Sequence, residues 1–317
     1  SMNISRRAAF APSACLLAMT ACSGAAPVLS GTAAAPAESA RFASGGIAPP
    51  YTGEIFVSAG RVGHGGILNE VDIYQKGPAH ALLGKITKGI SSANGMTMDA
   101  AGNLYVSNVG NATITKYAPG SVTPSVTYRS QLTNPLTLTM GADGTLYAVN
   151  YYPPGQGSAI FEYALGSTSP TTKIKLPGGA EGMALDANNN LYVGYNTNFS
   201  EVVKFAPGSK TYVDTGIRVG FVGCVLFDNK GNLLVCDQIG PSINVYKPGA
   251  TTPFKTISTP GMVDPYLAAF GKDYARLYVA DSASSTFDIF DYPSGTLAGQ
   301  IQRTNTSYGV AVTPGAF

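Results

Sequence analysis

The chain has 317 residues and a formal net charge of +2; charged residues make up only 12% of it and hydrophobic ones 44%. So weak a field, with no Lys/Arg cluster on a framework of stacking aromatics, argues against a nucleic-acid binder, and the apolar fraction suffices for a core without metal or disulfide staples. Its 38 Gly, 21 Pro and 18 Tyr favour short strands and tight turns, and no long helical period is present.

The first fifty residues read as an address. Ser1 ahead of Met2 reads as the scar of an expression tag, with Met2 the natural start. Arg6 and Arg7 form a basic head, and Ala8 to Ala21 is an apolar run interrupted by Pro12 and too brief to span a bilayer. The run ends Met19-Thr20-Ala21-Cys22, which resembles a bacterial lipoprotein processing box: small residues admit the peptidase, and the Cys22 thiol takes the lipid. Residues 1–22 are therefore expected to be a lipoprotein signal peptide, with an ordinary signal peptide as the alternative. Residues 23–51 are dominated by Ala, Ser, Gly and Pro without hydrophobic period and read as a flexible tether. An exported protein is expected, held by lipid on the periplasmic face of a membrane or on the cell surface. Ser23 after the cysteine, by resemblance to enterobacterial sorting, favours the outer membrane.

From about residue 52 one phrase returns. Gly95 to Asp99 alternates small or polar with apolar side chains, as a half-buried strand does. Ala100 to Gly102 turns the chain, Leu104 to Ser107 is a second strand, Ala112 to Tyr117 a third, Ala118-Pro119-Gly120-Ser121 a turn and Val122 to Tyr128 a fourth. The second-strand phrase recurs at Ile55, Leu104, Leu146, Leu191, Leu233 and Leu277, with spacings of 49, 42, 45, 42 and 44 residues. The turn after the third strand recurs in the same six units, from Tyr74-Gln75-Lys76-Gly77 to Tyr292-Pro293-Ser294-Gly295. Four strands per unit at this period predict an all-β fold, a six-bladed β-propeller over 52–317. The chain ends on Gly309 to Thr313, which matches a first strand, while the first unit starts at its second strand; the C-terminal strand is expected to close the first blade.

Asp186-Ala187-Asn188-Asn189-Asn190-Leu191-Tyr192-Val193 and Asp228 to Val235 resemble the repeats of NHL-type six-bladed propellers, a wider group that includes the gluconolactonase and senescence-marker family and the virginiamycin B lyases. The resemblance implies a channel lined by the innermost strands and a ligand rim at one end. Aligning the blades puts Asn94, Leu136, Glu181, Gly223, Tyr266 and Tyr308 at the start of the inner strands, and Ser58, Asn108, Asn150, Asn196, Asp237 and Asp281 where the second strands end. The gluconolactonase group holds a divalent metal with Glu, Asn and Asp at this rim. Glu181, Asp237 and Asp281 are accordingly candidate ligands for calcium or another divalent cation, with Asn94 and Asn150 as further oxygens. The first blade departs from the pattern, with Ser58 and Ala59 where the family has an acid. The competing reading is that Asp237 and Asp281 cap their own loops. The lyases need a rim histidine, and the chain has only His64 and His80, both in the first blade.

Aromatic residues at the rim, Tyr151, Tyr152, Tyr195, Phe199, Phe221, Tyr266 and Tyr308, suit a sugar, peptide or protein surface, whereas Tyr105, Tyr147, Tyr192 and Tyr278 inside strands are expected to pack between blades. Cys224 and Cys236 fall opposite each other on neighbouring strands; a disulfide is open to them, but free buried thiols are expected, because adjacent antiparallel strands strain such a bridge. No CxxC or Cys/His spacing suggests zinc. The function expected is a monomeric, membrane-anchored binding or interaction module that presents its rim to a small molecule, glycan or envelope protein. The alternative is a metal-dependent lactonase, hydrolase or lyase of the gluconolactonase type.

Overall fold

Alternating apolar and polar residues form short strands because successive side chains of an extended chain point to opposite faces. The computed structural model describes residues 54–59, 68–77, 79–152, 156–196 and 200–313. The expected signal peptide, Cys22 and tether lie outside the described residues, as do His64 and Phe199.

In chain order the strands are β1 (Glu54–Ala59), β2 (Val71–Gln75) and β3 (Leu82–Ile86), then β4 (Ala93–Met98), β5 (Leu104–Asn108), β6 (Thr113–Tyr117) and β7 (Val126–Tyr128). The third and fourth sets are β8 (Pro135–Met140), β9 (Leu146–Tyr151), β10 (Ser158–Tyr163) and β11 (Thr172–Leu176), and β12 (Gly179–Leu185), β13 (Leu191–Asn196), β14 (Ser200–Phe205) and β15 (Tyr212–Val219). The last are β16 (Val222–Phe227), β17 (Leu233–Asp237), β18 (Ser242–Tyr246) and β19 (Lys255–Ile257), β20 (Pro265–Phe270), β21 (Arg276–Asp281), β22 (Thr286–Asp291) and β23 (Leu297–Gln302), and finally β24 (Ser307–Val312). They form six four-stranded antiparallel sheets, five of consecutive strands and one ordered β24-β1-β2-β3. Each inner strand touches the inner strand of the next sheet, and β24 touches both β20 and β4, so the ring closes. The chain adopts the six-bladed β-propeller that its repeats predict.

Closure is by main-chain pairing across the whole chain length. Val312, Ala311 and Val310 oppose Ile55, Phe56 and Val57. Thr313 accepts the Glu54 N–H on its Oγ1 at 3.1 Å and returns its own N–H to the Glu54 carbonyl at 3.1 Å. Lys76 Nζ donates to the Thr313 carbonyl at 2.8 Å. The pairing removes two strand edges that would otherwise template association.

The core lies in the gaps between blades. Tyr105 packs with Leu138, Ala148 and Phe161 of the next blade, and Tyr278 with Ile55 and Val57 of the first. Tyr147 lies against Met183 and Leu191, and Tyr192 meets Phe227 edge-on at 4.9 Å between centroids. The strand tyrosines therefore pack between blades as expected, and each large side chain so buried stabilises the ring by about 1.5–3 kcal/mol.

The turns follow from residue chemistry. In Ala118-Pro119-Gly120-Ser121 the Ser121 N–H donates to the Ala118 carbonyl at 2.9 Å and Gly120 has φ 80°, the type II arrangement that Pro followed by Gly favours. The fourth strand of that blade is shorter than expected, starting at Val126. Pro124 lacks an N–H, and the Ser121 hydroxyl accepts the Thr123 N–H at 3.1 Å, which holds residues 121–125 as a loop. In the first hairpins, Asp99 Oδ1 accepts the Asn103 N–H at 2.9 Å and Asp228 Oδ1 the Asn232 N–H at 2.8 Å, which explains the recurring Asp and Asn four residues apart.

Cys224 and Cys236 form a disulfide with Cα atoms 4.8 Å apart, which corrects the expectation of free thiols. One extra residue in β16 between Val222 and Val225 shifts the register against β17. Cys224 precedes Val225, which pairs with Val235, so it stands opposite Cys236, and facing residues of an antiparallel pair already lie within bridging range.

Candidate functional site

All six inner strands carry a β-bulge at the same level. The register against the second strand shifts between Ala93 and Met96, Pro135 and Leu138, Ala180 and Met183, Val222 and Val225, and Pro265 and Leu267. In β24 it shifts between Val310 and Ser307. The residues expected at the strand starts, Asn94, Leu136, Glu181, Gly223, Tyr266 and Tyr308, are the residues inside these bulges. A bulge bends the strand and re-aims the extra residue, so one device repeated around the ring turns five side chains, Gly223 having none, toward one mouth.

Glycines make the ring tight at this level. A Cβ on Gly95 would lie 2.4 Å from the Leu136 carbonyl oxygen, one on Gly182 2.3 Å from that of Gly223, and one on Gly309 2.0 Å from that of Asn94. Serines on the second strands tie the bulges down: Ser58 Oγ accepts the Gly309 N–H at 2.7 Å, and Ser107 Oγ that of Gly95 at 2.9 Å.

Glu181 is the centre of the arrangement. Its Oε1 accepts the Tyr151 hydroxyl at 3.1 Å and its Oε2 the Tyr266 hydroxyl at 2.9 Å. Tyr266 also meets the Tyr308 ring edge-on at 5.8 Å. Glu181 and Tyr266 are only 8% and 9% exposed. Burial pushes the Glu181 carboxyl up to about 7, opposed by the two phenol donors and reinforced by the charge of Asp264. Burial and the Glu181 charge push the Tyr151 and Tyr266 phenols well above their ordinary range.

The second-strand ends do different work. Asp281 accepts main-chain N–H groups from Val263, Asp264, Ala283 and Ser284, and Asp237 from Gly220, Phe221, Ile239 and Gly240. Asn150 Oδ1 accepts those of Thr133 and Asn134, Asn108 Oδ1 that of Ser91, and Asn196 Oδ1 the Ser200 hydroxyl. Each side chain ties the loop that follows its strand to the loop that precedes the inner strand, or braces the loop within its own blade. Glu181, Tyr151, Tyr266 and Asn94 thus converge, whereas Asp237 and Asp281 turn their carboxylates to loop amides. The donors do not fit a shared cation as they stand, because both Glu181 oxygens already receive phenol protons and the two aspartates face away from it. Tyr195 is 1% exposed, its hydroxyl accepting the Gly178 N–H at 3.1 Å, so it belongs to the core and not to an aromatic surface.

Sequence reasoning missed Asn134 and Asp264, which directly precede inner strands, and Thr137 within β8, which lines the channel. Asn94 Oδ1, Asn134 Oδ1, Thr137 Oγ1 and Asp264 Oδ1 are buried without a hydrogen-bond partner among the described residues. Asn134 and Asp264 each precede the Pro that starts β8 or β20, and the aligned Asn-Pro and Asp-Pro pairs were a legible signal.

A cavity of 510 Å³ runs from the bulges to the opposite face. Thr137, Gly182 and Cys224 line its inner end, and the hairpins at Asp99, Phe227 and Tyr274 line its mouth. Glu181, Tyr151 and Tyr266 do not line it.

No protein-family model matches the chain, and no curated protein matches it in sequence. Solved structures do. One from the crystal structure of a nidogen/laminin complex is 13% identical, covers 84% of this chain and 100% of its own, and superposes with a TM-score of 0.63. A protein of unknown function from Bacteroides caccae is 14% identical, with 83% and 99% covered and a TM-score of 0.62. A functionally unknown protein from Desulfotomaculum acetoxidans is 18% identical, with 81% and 84% covered and a TM-score of 0.54. The likeness is one of fold. At these identities it extends to the β-propeller and carries no ligand or reaction with it.

Proposed function

We propose that the protein is an exported, membrane-anchored binding module that receives a small molecule, glycan or envelope protein at the mouth where its inner strands start. The observation that carries this reading is the pair of buried oxygens without donors, Asn94 Oδ1 and Asp264 Oδ1, on side chains that act on Tyr266 and on Glu181. Leaving a buried acceptor unpaired costs about 1–3 kcal/mol, and a ligand rich in N–H or O–H donors offsets that cost on binding. One structural neighbour comes from a complex between two proteins, in accord with a fold used for docking. Screening on a glycan array and by pull-down from envelope extracts tests the reading. The expected result is a partner that Asn94→Ala and Asp264→Ala weaken together; a partner bound equally well by both variants would place the site elsewhere. The anchor rests on Cys22, and labelling of cells with a fatty-acid probe is expected to mark the wild-type chain and not Cys22→Ser.

A second reading, a metal-dependent lactonase, hydrolase or lyase of the gluconolactonase type, is favoured by one observation: Glu181 sits in its bulge with its carboxyl raised to about 7, the poise of an acid–base group. It requires Glu181, Asp237 and Asp281 to leave their present partners. Calcium titration followed by melting temperature separates the two readings, a rise that Glu181→Gln abolishes supporting the enzyme.

A further inference from the structure

The mouth where the inner strands start carries acids that no cation balances. The titratable groups that face Glu181 are Tyr151 of β9, Tyr266 of β20 and Asp264 just before β20, and every one of them is an acid. Asp264 in turn faces Asp281. No lysine or arginine acts on Glu181, Asp264, Tyr151 or Tyr266, and none of Glu181, Asp237, Asp264 and Asp281 has an ion pair among the described residues. The buried Asp72, by contrast, has Arg303 at 3.0 Å, as a carboxylate removed from water ordinarily requires. Loop amides spread the charge of Asp237 and Asp281. Glu181 has only two phenol donors, and Asp264 only the Ser282 hydroxyl on Oδ2, among the described residues.

Two acceptors beside this group also lack donors. Asn94 is 9% exposed and its side chain hydrogen-bonds Tyr266, yet its Oδ1 has no partner among the described residues. Asp264 Oδ1, on the carboxylate whose charge acts on Glu181, has none either. One unpaired oxygen therefore belongs to each partner of the Tyr266–Glu181 hydrogen bond.

Unbalanced negative charge selects a cation, and unpaired acceptors select one that carries N–H groups. A divalent metal ion demands about six or more oxygens, whereas both Glu181 oxygens are already occupied by phenol protons. An ammonium group supplies the charge and three donors without stripping Glu181 of its phenols. Both unpaired oxygens are buried, so the group must arrive on a thin, unbranched stem, and the partly exposed Tyr151 and Tyr308 rings offer that stem apolar faces. We propose that this mouth binds a small organic amine, its primary ammonium group donating to Asn94 and Asp264 and balancing Glu181, an inference that rests on the reading of the same mouth as a binding site.

Binding is coupled to the proton on Glu181. Burial raises that carboxyl to about 7, Tyr266 and Tyr151 oppose the rise and the charge of Asp264 adds to it. An ammonium beside it favours the carboxylate, while the amine itself stays protonated to about pH 10. Affinity should therefore rise with pH through 7 and level off above about 8.

Calorimetric titration of the full chain with n-butylamine, n-butanol, n-butyltrimethylammonium and calcium chloride tests the proposal. At pH 8 n-butylamine is expected to bind at least about tenfold more tightly than the alcohol, which has no charge, and than the quaternary ion, which has no N–H. It is expected to bind severalfold more weakly at pH 5.5. Glu181→Gln should bind at least about tenfold more weakly at pH 8 and lose the pH dependence. Asp264→Asn keeps the shape and the Ser282 contact while removing the charge, and should weaken binding severalfold with little change in melting temperature. Equal binding of the alcohol or the quaternary ion, affinity indifferent to pH, or wild-type affinity in both variants would each overturn the proposal. Calcium binding where the amine does not would overturn it in favour of a metal site. If no amine binds but a glycan or envelope protein does, and Asn94→Ala and Asp264→Ala weaken it, the amine falls and the mouth stands as a binding site; if nothing binds there, both fall.

Discussion

The two ends of the ring solve the same problem of joining six blades by different means. Where the inner strands start, backbone meets backbone: the bulges press glycine against carbonyl, and Glu181, Tyr151 and Tyr266 close the centre. Where they end, blades meet through side chains and turns, and a 510 Å³ cavity remains open between them. Space dictates the residue at the first end, and backbone conformation dictates it at the second. Substitutions that look alike in sequence should therefore differ in cost according to the end they occupy.

Gly309→Ala should have the largest effect, because its Cβ would stand 2.0 Å from the Asn94 carbonyl oxygen and no flexible side chain can yield. A loss of more than about 3 kcal/mol is expected, read as a collapse of the denaturant midpoint. An unchanged midpoint would show that the ring is looser than its contacts imply.

Glu181→Gln comes next, and its effect depends on pH. The folded carboxyl has a pKa raised from 4.5 to about 7, so the folded state holds the proton more tightly than the unfolded one. Its stabilising contribution is thus complete below about pH 4.5 and is lost as pH rises through 7. At about 1.4 kcal/mol per unit the loss is on the order of 3 kcal/mol. Wild-type melting temperature should fall between pH 5 and 8, while that of Glu181→Gln stays level and exceeds it above pH 8. Parallel curves would mean that Glu181 is not titrating.

Asp281→Ala should lower stability by about 2–3 kcal/mol, since Asp281 is 1% exposed and leaves main-chain N–H groups of four residues without their acceptor. Asp237→Ala should cost less, because its loop is more exposed and water replaces the carboxylate. Equal small losses would return both residues to the role of ligands.

The repeat made the fold legible because packing demands the same residues in every blade. Leu104, Tyr105 and Val106 recur because every blade buries the same faces against its neighbour. The Gly309 to Thr313 strand was legible as a partner for β1 for the same reason. The mouth was legible only as positions. Aligning blades placed Glu181 and Tyr266 at the strand starts, but no period reveals that one extra residue bulges each strand and turns them together. Nor does spacing distinguish a carboxylate aimed at the centre from one aimed at its own loop, since Asp281 and Glu181 stand at the same rim and differ in which main-chain N–H groups lie within reach. The disulfide departs from the expectation because facing residues of an antiparallel pair already stand within bridging distance. The left-handed backbone of Tyr274 is not legible either, because composition does not display a backbone angle.

The far face offers the smallest effects and the sharpest contrast, because two substitutions there should move stability in opposite directions. Gly166 has φ 82° and nothing within 4 Å of a Cβ, so Gly166→Ala meets no steric obstacle and suffers only the left-handed backbone, about 1–2 kcal/mol. Tyr274 has φ 56°, so Tyr274→Gly gains that backbone term and forfeits the contact with Phe270 and the entropy of a freer unfolded chain. The net expected is a stabilisation of less than about 1 kcal/mol, measured as a small rise in denaturant midpoint. A destabilisation of about 2 kcal/mol or more would show instead that the Tyr274 ring is held in its left-handed backbone by its packing against Phe270.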